Sequence, residues 1–249
     1  MNDTRNADLY AGYADWKQWQ GDCTASDGDA RCFAAEFADV VALRGKRVLE
    51  IGFGNGRFLA WAKAQGASVA GTEIHDGLIA WAREKGFDAL PASLEALVAA
   101  QRRFDVVVAF DVFEHWSKQE LIANLQHVRA LLDDGGVLLA RFPNGQSPFG
   151  RVHQYGDITH QTVLSSSAVE QLAGMTGFAV VHVRNAQRVP ARGDAWSVLK
   201  FRWRRWRRAR IERALGRLYG YGCLPLDPNL TAVLRKAAPR DQPASMEHE

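Results

Sequence analysis

The chain has 249 residues, of which 47% are hydrophobic and 24% charged, with a formal net charge of +3. This is an ordinary globular composition, long enough for one α/β domain with additions or for two small domains. Three widely spaced cysteines, Cys23, Cys32 and Cys223, include no Cys-x-x-Cys pair. They suggest neither a disulfide framework nor a zinc site, which fits a reducing compartment. The start, Met1 to Asn6, lacks a basic stretch leading into an apolar core, so no signal peptide is expected. No apolar run approaches the roughly 18 residues that span a bilayer, and a cytoplasmic protein is expected. The charge is uneven. Lys200, Arg202, Arg204, Arg205, Arg207, Arg208, Arg210, Arg213 and Arg217 stand against the single acid Glu212, a local +8 that leaves −5 for the rest of the chain.

In chain order, residues 1–28 are polar and interrupted, with Tyr10, Tyr13, Trp16 and Trp19 at near-helical spacing. They read either as a helix packing its rings on the domain or as a lid over a ligand. Phe33, Phe37, Val40 and Val41 predict an amphipathic helix over 30–43. Lys46 to Ile51 is a short apolar run containing Glu50, and Gly52-Phe53-Gly54-Asn55-Gly56 then breaks it with alternating glycines. Arg57 to Ala62 reads as a helix start. A strand, a tight turn and a helix N-terminus in that order make a nucleotide-type α/β site, where glycine permits positive φ and close approach of a ligand. The helix ends near Gln65 at Gly66. Ser68 to Ile74 predicts a second strand ending in Glu73. Helix 76–85, a weak strand 87–90 and helix 93–101 follow.

Phe104 to Phe110 is continuously apolar, as a strand buried on both faces must be. It runs into Asp111-Val112-Phe113-Glu114-His115. Helix 117–132 and strand 136–142 complete five alternating units. From Pro143 to Val163 the pattern stops, and a loop of this length in a compact domain tends to be functional. Leaving a strand at the carboxyl edge of the sheet, it emerges where open α/β folds bind ligands. Ser167 and Glu170 have capping-box spacing for a helix ending near Met175. Phe178 to Arg184 predicts a sixth strand. The seventh is placed at Asn229–Lys236, making residues 186–228 an insertion, and the tail 237–249 is expected to be disordered.

The glycine turn does not fit G-x-G-x-x-G, because Arg57 stands where the third glycine belongs. Glu50-x-Gly52-x-Gly54-x-Gly56 instead resembles the first motif of the class I S-adenosylmethionine-dependent methyltransferases. Asp111-x-x-Glu114-His115 is similar to the fourth motif of that family, beside the methyl group. The resemblance covers about 43–185 and again 229–236. It implies a Rossmann-like α/β sandwich with a mostly parallel seven-stranded sheet and an antiparallel last strand, carrying a helical insertion before that strand. The implied parts are N-terminal lid or cap helices over 1–44, the core over 45–185, the basic insertion over 186–228 and the last strand over 229–236. It implies S-adenosylmethionine as cofactor, held by Glu50, Gly52, Phe53, Gly54, Gly56, Glu73, Ile74, Ser93, Leu94, Asp111 and Val112. Glu73 is then the acid that accepts from the ribose hydroxyls, and Ala92-Ser93-Leu94 the loop at the adenine.

Methyl transfer is an in-line displacement in which the protein mainly aligns the reactants. An alcohol acceptor must also lose a proton to a general base. Histidine suits that role near neutral pH. His115 and His160 are the leading candidates, with His153 and Asp157 beside them in the loop and His75 after strand two. Each could equally cap a helix or bind backbone. His153, Asp157 and His160 also have the ligand types of a divalent-metal site, but a glycine-containing turn separates the histidines and no metal is assigned.

In the basic insertion, Trp196, Leu199, Trp203, Trp206, Ala214 and Leu218 share one arc of a helix, with Arg207 and Arg210 intruding. That pattern suits an anionic membrane surface, a nucleic acid or protein partner, or a solvated helix packing its tryptophans on the domain. Within the family the chain resembles the small-molecule branch that includes the ubiquinone-pathway O-methyltransferases. Its Pro143-Asn144 and Tyr155-Gly156-Asp157-x-Thr159-His160 are similar to a loop of bacterial enzymes among cell-surface polysaccharide functions. The expected reaction is O-methylation of a sugar, glycan or lipid-linked hydroxyl, with the enzyme peripheral to the inner membrane face. The alternatives are a quinone or polyketide phenol O-methyltransferase, an RNA methyltransferase gripping phosphates with the insertion, and a non-catalytic adaptor.

Overall fold

A computed structural model gives the protein's structure, describing residues 12–17, 19, 23–190, 193–221 and 224–237. Tyr10, Cys223 and the tail expected to be disordered, apart from Ala237, lie outside the described residues. The elements, in chain order, are α1 Tyr13–Trp16, α2 Asp27–Phe37, β1 Arg47–Ile51, α3 Arg57–Ala64, β2 Ser68–Glu73, α4 Asp76–Glu84 and β3 Asp88–Pro91. They continue with α5 Leu94–Ala99, β4 Phe104–Phe110, α6 Lys118–Leu131, β5 Leu132–Pro143, α7 Arg151–Tyr155, α8 Ser166–Thr176, β6 Phe178–Asn185, α9 Ala195–Tyr219 and β7 Asn229–Lys236. A 3₁₀ turn, Phe113–His115, follows β4.

The strands form one seven-stranded sheet in the order β3-β2-β1-β4-β5-β7-β6. The first five are parallel to their neighbours, and β7 pairs antiparallel with both β5 and β6. Alternation along the strands fills both faces. Leu49, Ile51, Val107, Ala109, Leu138 and Ala140 meet α5, α6 and α8, whereas Val48, Val106, Val108, Val137 and Leu139 meet Phe37, Phe58 and Trp61 of α2 and α3. Burial of each large side chain stabilises by roughly 1.5–3 kcal/mol, and continuous burial is why β4 reads as an unbroken apolar run.

Several boundaries differ from the sequence reading. The helix expected over 30–43 begins at Asp27, because Ser26 and Asp29 form a capping box, and it stops at Phe37. Capping of α8 falls to Ser165, whose hydroxyl accepts from Ala168 N, and not to Ser167. The unpatterned segment after β5 contains α7 and closes with a bridge between Asn144 and Leu164.

The insertion is one 25-residue helix, held by polar contacts. Its only acid, Glu212, is buried and accepts from Asn185 Nδ2 at 2.7 Å and Leu226 N at 2.9 Å. Arg208 turns inward to Asp227, 2.7 Å away. The other eight cations between Lys200 and Arg217 are exposed. So are Trp196, Leu199, Trp203 and Trp206, which excludes the reading in which these tryptophans pack on the domain.

Candidate active site

The carboxyl ends of β1, β2 and β4 meet where the strand order reverses, the place for a ligand in an open α/β sheet. A cavity of about 360 Å³ lies there, walled by Ile51, Gly52, Thr72, Glu73, Ile74, Ala92, Leu94, Phe110, Asp111, Val112, His115, Trp116 and Asn124. Tyr13, Lys17 and Trp19 close it from the N-terminal segment. That segment therefore lines the cavity while also stacking its rings. Tyr13 lies parallel to His75 at 6.4 Å between centroids and edge-on to His115 at 6.0 Å.

The glycine turn is left-handed at Gly52 (φ 68°), Gly54 (φ 50°) and Gly56 (φ 66°). A Cβ on Gly52 would stand 2.8 Å from Val112 Cγ2, so this backbone lies bare against the cavity because nothing else fits. Phe53 points away, buried with Leu59 and Leu78 under α3 and α4, and Gly56 caps α3. Glu73 receives Gly54 N at 2.9 Å and Ile74 N at 2.7 Å, which ties the turn to the end of β2. Glu50 lies behind the turn, fully buried, and its Oε2 lacks a hydrogen-bond partner among the described residues. Burial, then the neighbouring Glu73 charge, pushes its carboxyl well above the usual range. Ser93, expected at the adenine, instead caps α5 by accepting from Ala96 N; Ala92 and Leu94 form the wall.

A second cavity of about 350 Å³ adjoins the first and shares Lys17, Asp111 and His115 with it. Its other walls include Trp16, Glu114, Pro143, His153, Asp157, His160 and Asn229. Asp157 organises this wall. Its Oδ2 accepts from Tyr13 Oη at 2.9 Å and pairs with Lys17 at 3.1 Å. Its Oδ1 accepts from Thr159 Oγ1 at 2.5 Å and Thr159 N at 3.0 Å. Burial opposes the charge on Asp157, but the bonds from Thr159, Lys17 and Tyr13 outweigh it and hold the carboxyl far below the usual range.

The hydroxyl of Thr159, having donated to Asp157, must accept from His115 Nδ1, 2.9 Å away. That fixes the His115 tautomer and makes Nε2 the basic nitrogen. Burial, followed by repulsion from His160, lowers the His115 pKa to about 4. His160 packs edge-on against His115 at 4.6 Å, with Nδ1 3.1 Å from the Gln154 carbonyl.

His153 sits exposed on α7 and does not gather with Asp157 and His160 into a ligand set. Among the described residues the only group with ligand atoms within 4.8 Å of one another is Glu114, His115 and His160. Burial raises the Glu114 carboxyl well above its usual range.

Lys17, Thr72, Phe110, Asn124 and Thr159 escaped the sequence reading. The first four belong to no short motif, and Thr159 stood only within the Tyr155–His160 loop pattern, where Asp157-x-Thr159 is an Asx-type turn signal that could have flagged its role. Arg141 was missed too. It pairs with Asp111, which holds φ 56° at the end of β4.

Residues 27–183 match the sequence model of a methyltransferase domain. The chain belongs to that methyltransferase family. A ubiquinone biosynthesis O-methyltransferase of Dinoroseobacter shibae is 35% identical over 102 residues, covering 39% of this chain and 40% of that protein. The chain thus matches less than half the length of this relative. Among solved structures, an S-adenosylmethionine-dependent methyltransferase from Archaeoglobus fulgidus aligns with TM-score 0.60 at 17% identity, covering 83% of this chain and 94% of the other. A cyclopropane synthase from Mycobacterium tuberculosis aligns with TM-score 0.59 at 17% identity, covering 87% of each chain. At these identities the structures share the fold, the class I methyltransferase sandwich.

The residues fit S-adenosylmethionine as cofactor: a bare glycine backbone and the carboxylate that ends β2 line one cavity, and the unsatisfied Glu50 Oε2 is buried behind that turn. No described helix is long and apolar enough to cross a membrane.

Proposed function

We propose that the enzyme methylates a hydroxyl oxygen of a sugar, glycan or lipid-linked small molecule. The observation that carries this reading is His115, which stands in the wall shared by both cavities with Nδ1 anchored and the ring neutral. A neutral imidazole between a cofactor chamber and an acceptor chamber is what an alcohol acceptor requires and an amine does not.

In this reading Glu73 accepts from the ribose, Ala92 and Leu94 flank the adenine, and Gly52, Glu50 and Asp111 surround the amino-acid end. When bound, S-adenosylmethionine supplies an electrophilic methyl group. The acceptor hydroxyl would lie in the second cavity and give its proton to His115 Nε2, and Thr159 and Asp157 would steady the resulting imidazolium. His160 holds the His115 ring in place and excludes water. Tyr13 and Lys17 fasten the lid to Asp157, closing both cavities with two contacts to one carboxylate.

Lys17, Asp111, His153, Asp157, His160 and Asn229 set polar groups around the acceptor wall, beside the apolar Trp16, Pro143 and Val152, a mixture that suits a polyhydroxylated acceptor on an apolar carrier. A quinone-type phenol is the second reading, supported by the name of the Dinoroseobacter shibae relative. Incubation with methyl-labelled cofactor and a panel of lipid-linked and free saccharides beside catechols distinguishes them. Base-stable label on a saccharide is expected. Label only on catechols would replace the first reading with the second, and label on an amine would overturn both.

A further inference from the structure

The insertion helix α9 packs one face and leaves the opposite face bare. Phe201, Arg208, Glu212 and Gly216 fall on the inward side. Trp196, Leu199, Trp203 and Trp206, at spacings of three and four, lie on the other side within an arc of about 80°. They are 72, 59, 53 and 52% exposed. Leaving three tryptophans and a leucine largely in water forgoes the gain of burying them, so the lone chain gains nothing from this arrangement. The patch marks a contact surface.

Its flanks are cationic. The inward turn of Arg208 and Glu212 removes the only acid from the outer surface, leaving eight exposed cations. Among the described residues none of these pairs with a carboxylate. Arg207 lies over the Trp203 ring at 4.7 Å and Arg210 over Trp206 at 4.9 Å. A surface cleft between Trp206, Arg210, Arg213 and Arg217 is lined by three guanidinium groups, the charge that a phosphate would meet.

We propose that α9 lies flat on an anionic phospholipid bilayer, its tryptophans and Leu199 at headgroup level and its arginines on lipid phosphates. Charge excludes a second copy of this helix, which would bring sixteen like charges together. Aliphatic Leu199 within the aromatic stripe suits acyl chains and has no role against stacked bases. The helix leaves the sheet after β6, which runs parallel to β5, so α9 springs from the same edge as the active site. Asn144 and Ser147, at the start of the acceptor loop, donate to the carbonyls of Pro225, Asp227 and Leu226 in the chain returning from α9. Docking would therefore hold the acceptor cavity near the membrane plane. The proposal stands on α9 alone and does not rest on the acceptor assigned above.

The test is flotation of the full chain with phosphatidylglycerol-containing vesicles, beside pure phosphatidylcholine vesicles and a structured RNA. The variants are W196S/W203S/W206S and R204Q/R207Q/R210Q. Wild type is expected to float only with the anionic vesicles, and its tryptophan emission to shift blue. Each variant should lose roughly tenfold or more in vesicle affinity. S-adenosylhomocysteine affinity should stay unchanged, since these side chains face solvent, which also shows that the variants are folded. No flotation of the wild type, equal binding to both vesicle types, or RNA binding with vesicle binding indifferent to the tryptophans would each overturn the proposal.

Discussion

The two halves of the carboxyl edge are built by different means. Around β1, β2 and β4 the cofactor side is assembled from short segments: a glycine turn, the acid that ends β2 and the acid that ends β4. Hydrogen bonds from backbone N–H groups to an adjacent carboxylate, such as Gly54 N to Glu73 Oε2, lock these together. The acceptor side is assembled from distant pieces, in which Asp157 gathers Tyr13, Lys17 and Thr159, and Thr159 reaches His115. Local backbone geometry fixes the first half, whereas side-chain networks that need every member fix the second. A common cofactor can be held by a fixed frame while the acceptor pocket varies.

Substitutions should separate the halves. The largest effect is expected for His115→Ala, a loss of about 10²–10⁴ in kcat with S-adenosylhomocysteine affinity within a few-fold in calorimetric titration. Retained turnover would move the base elsewhere. The sign of its pH dependence follows from the depressed pKa of about 4. The imidazole is neutral and competent above that value, so kcat/KM should stay level through pH 6.5 and fall only as pH approaches 4. An acid limb centred near 6.5 would show His115 solvated in the working enzyme.

Next comes Glu73→Gln, which should weaken S-adenosylhomocysteine by about 10- to 100-fold, the worth of hydrogen bonds to a charged group. It acts on the cofactor half alone, so an unchanged affinity would remove Glu73 from the ribose. The smallest effect is expected for Tyr13→Phe. Losing one bond to Asp157 while Lys17 and Thr159 remain should change KM for the acceptor a few-fold, with cofactor affinity nearly constant. A larger change in cofactor affinity than in KM would blur the distinction between the halves.

Much of the cofactor half was legible in the sequence. Glycines that no Cβ can replace, a two-face apolar run at 104–110 and acids at strand ends are local consequences of local geometry. Ser93 shows the limit of such reading. Whether a serine in a βα loop faces a ligand or caps the next helix depends on which N–H lies closer, and here Ala96 N does.

The acceptor half was legible only as a list of residue types. His115, His153, Asp157 and His160 all qualified by chemistry, but only the fold showed that His115 faces both cavities, that His160 supports it and that His153 stands at the rim. Thr159, whose hydroxyl lies against His115 Nδ1, stood in the sequence only as part of the Tyr155–His160 loop pattern. The insertion divides the same way. Sequence by itself determined that α9 is a basic helix with a tryptophan stripe, because charge and period are properties of the chain. Only the tertiary structure decided that the stripe faces outward, because the neighbours that bury Glu212 and engage Arg208, namely Asn185, Leu226 and Asp227, are supplied by other segments of the chain.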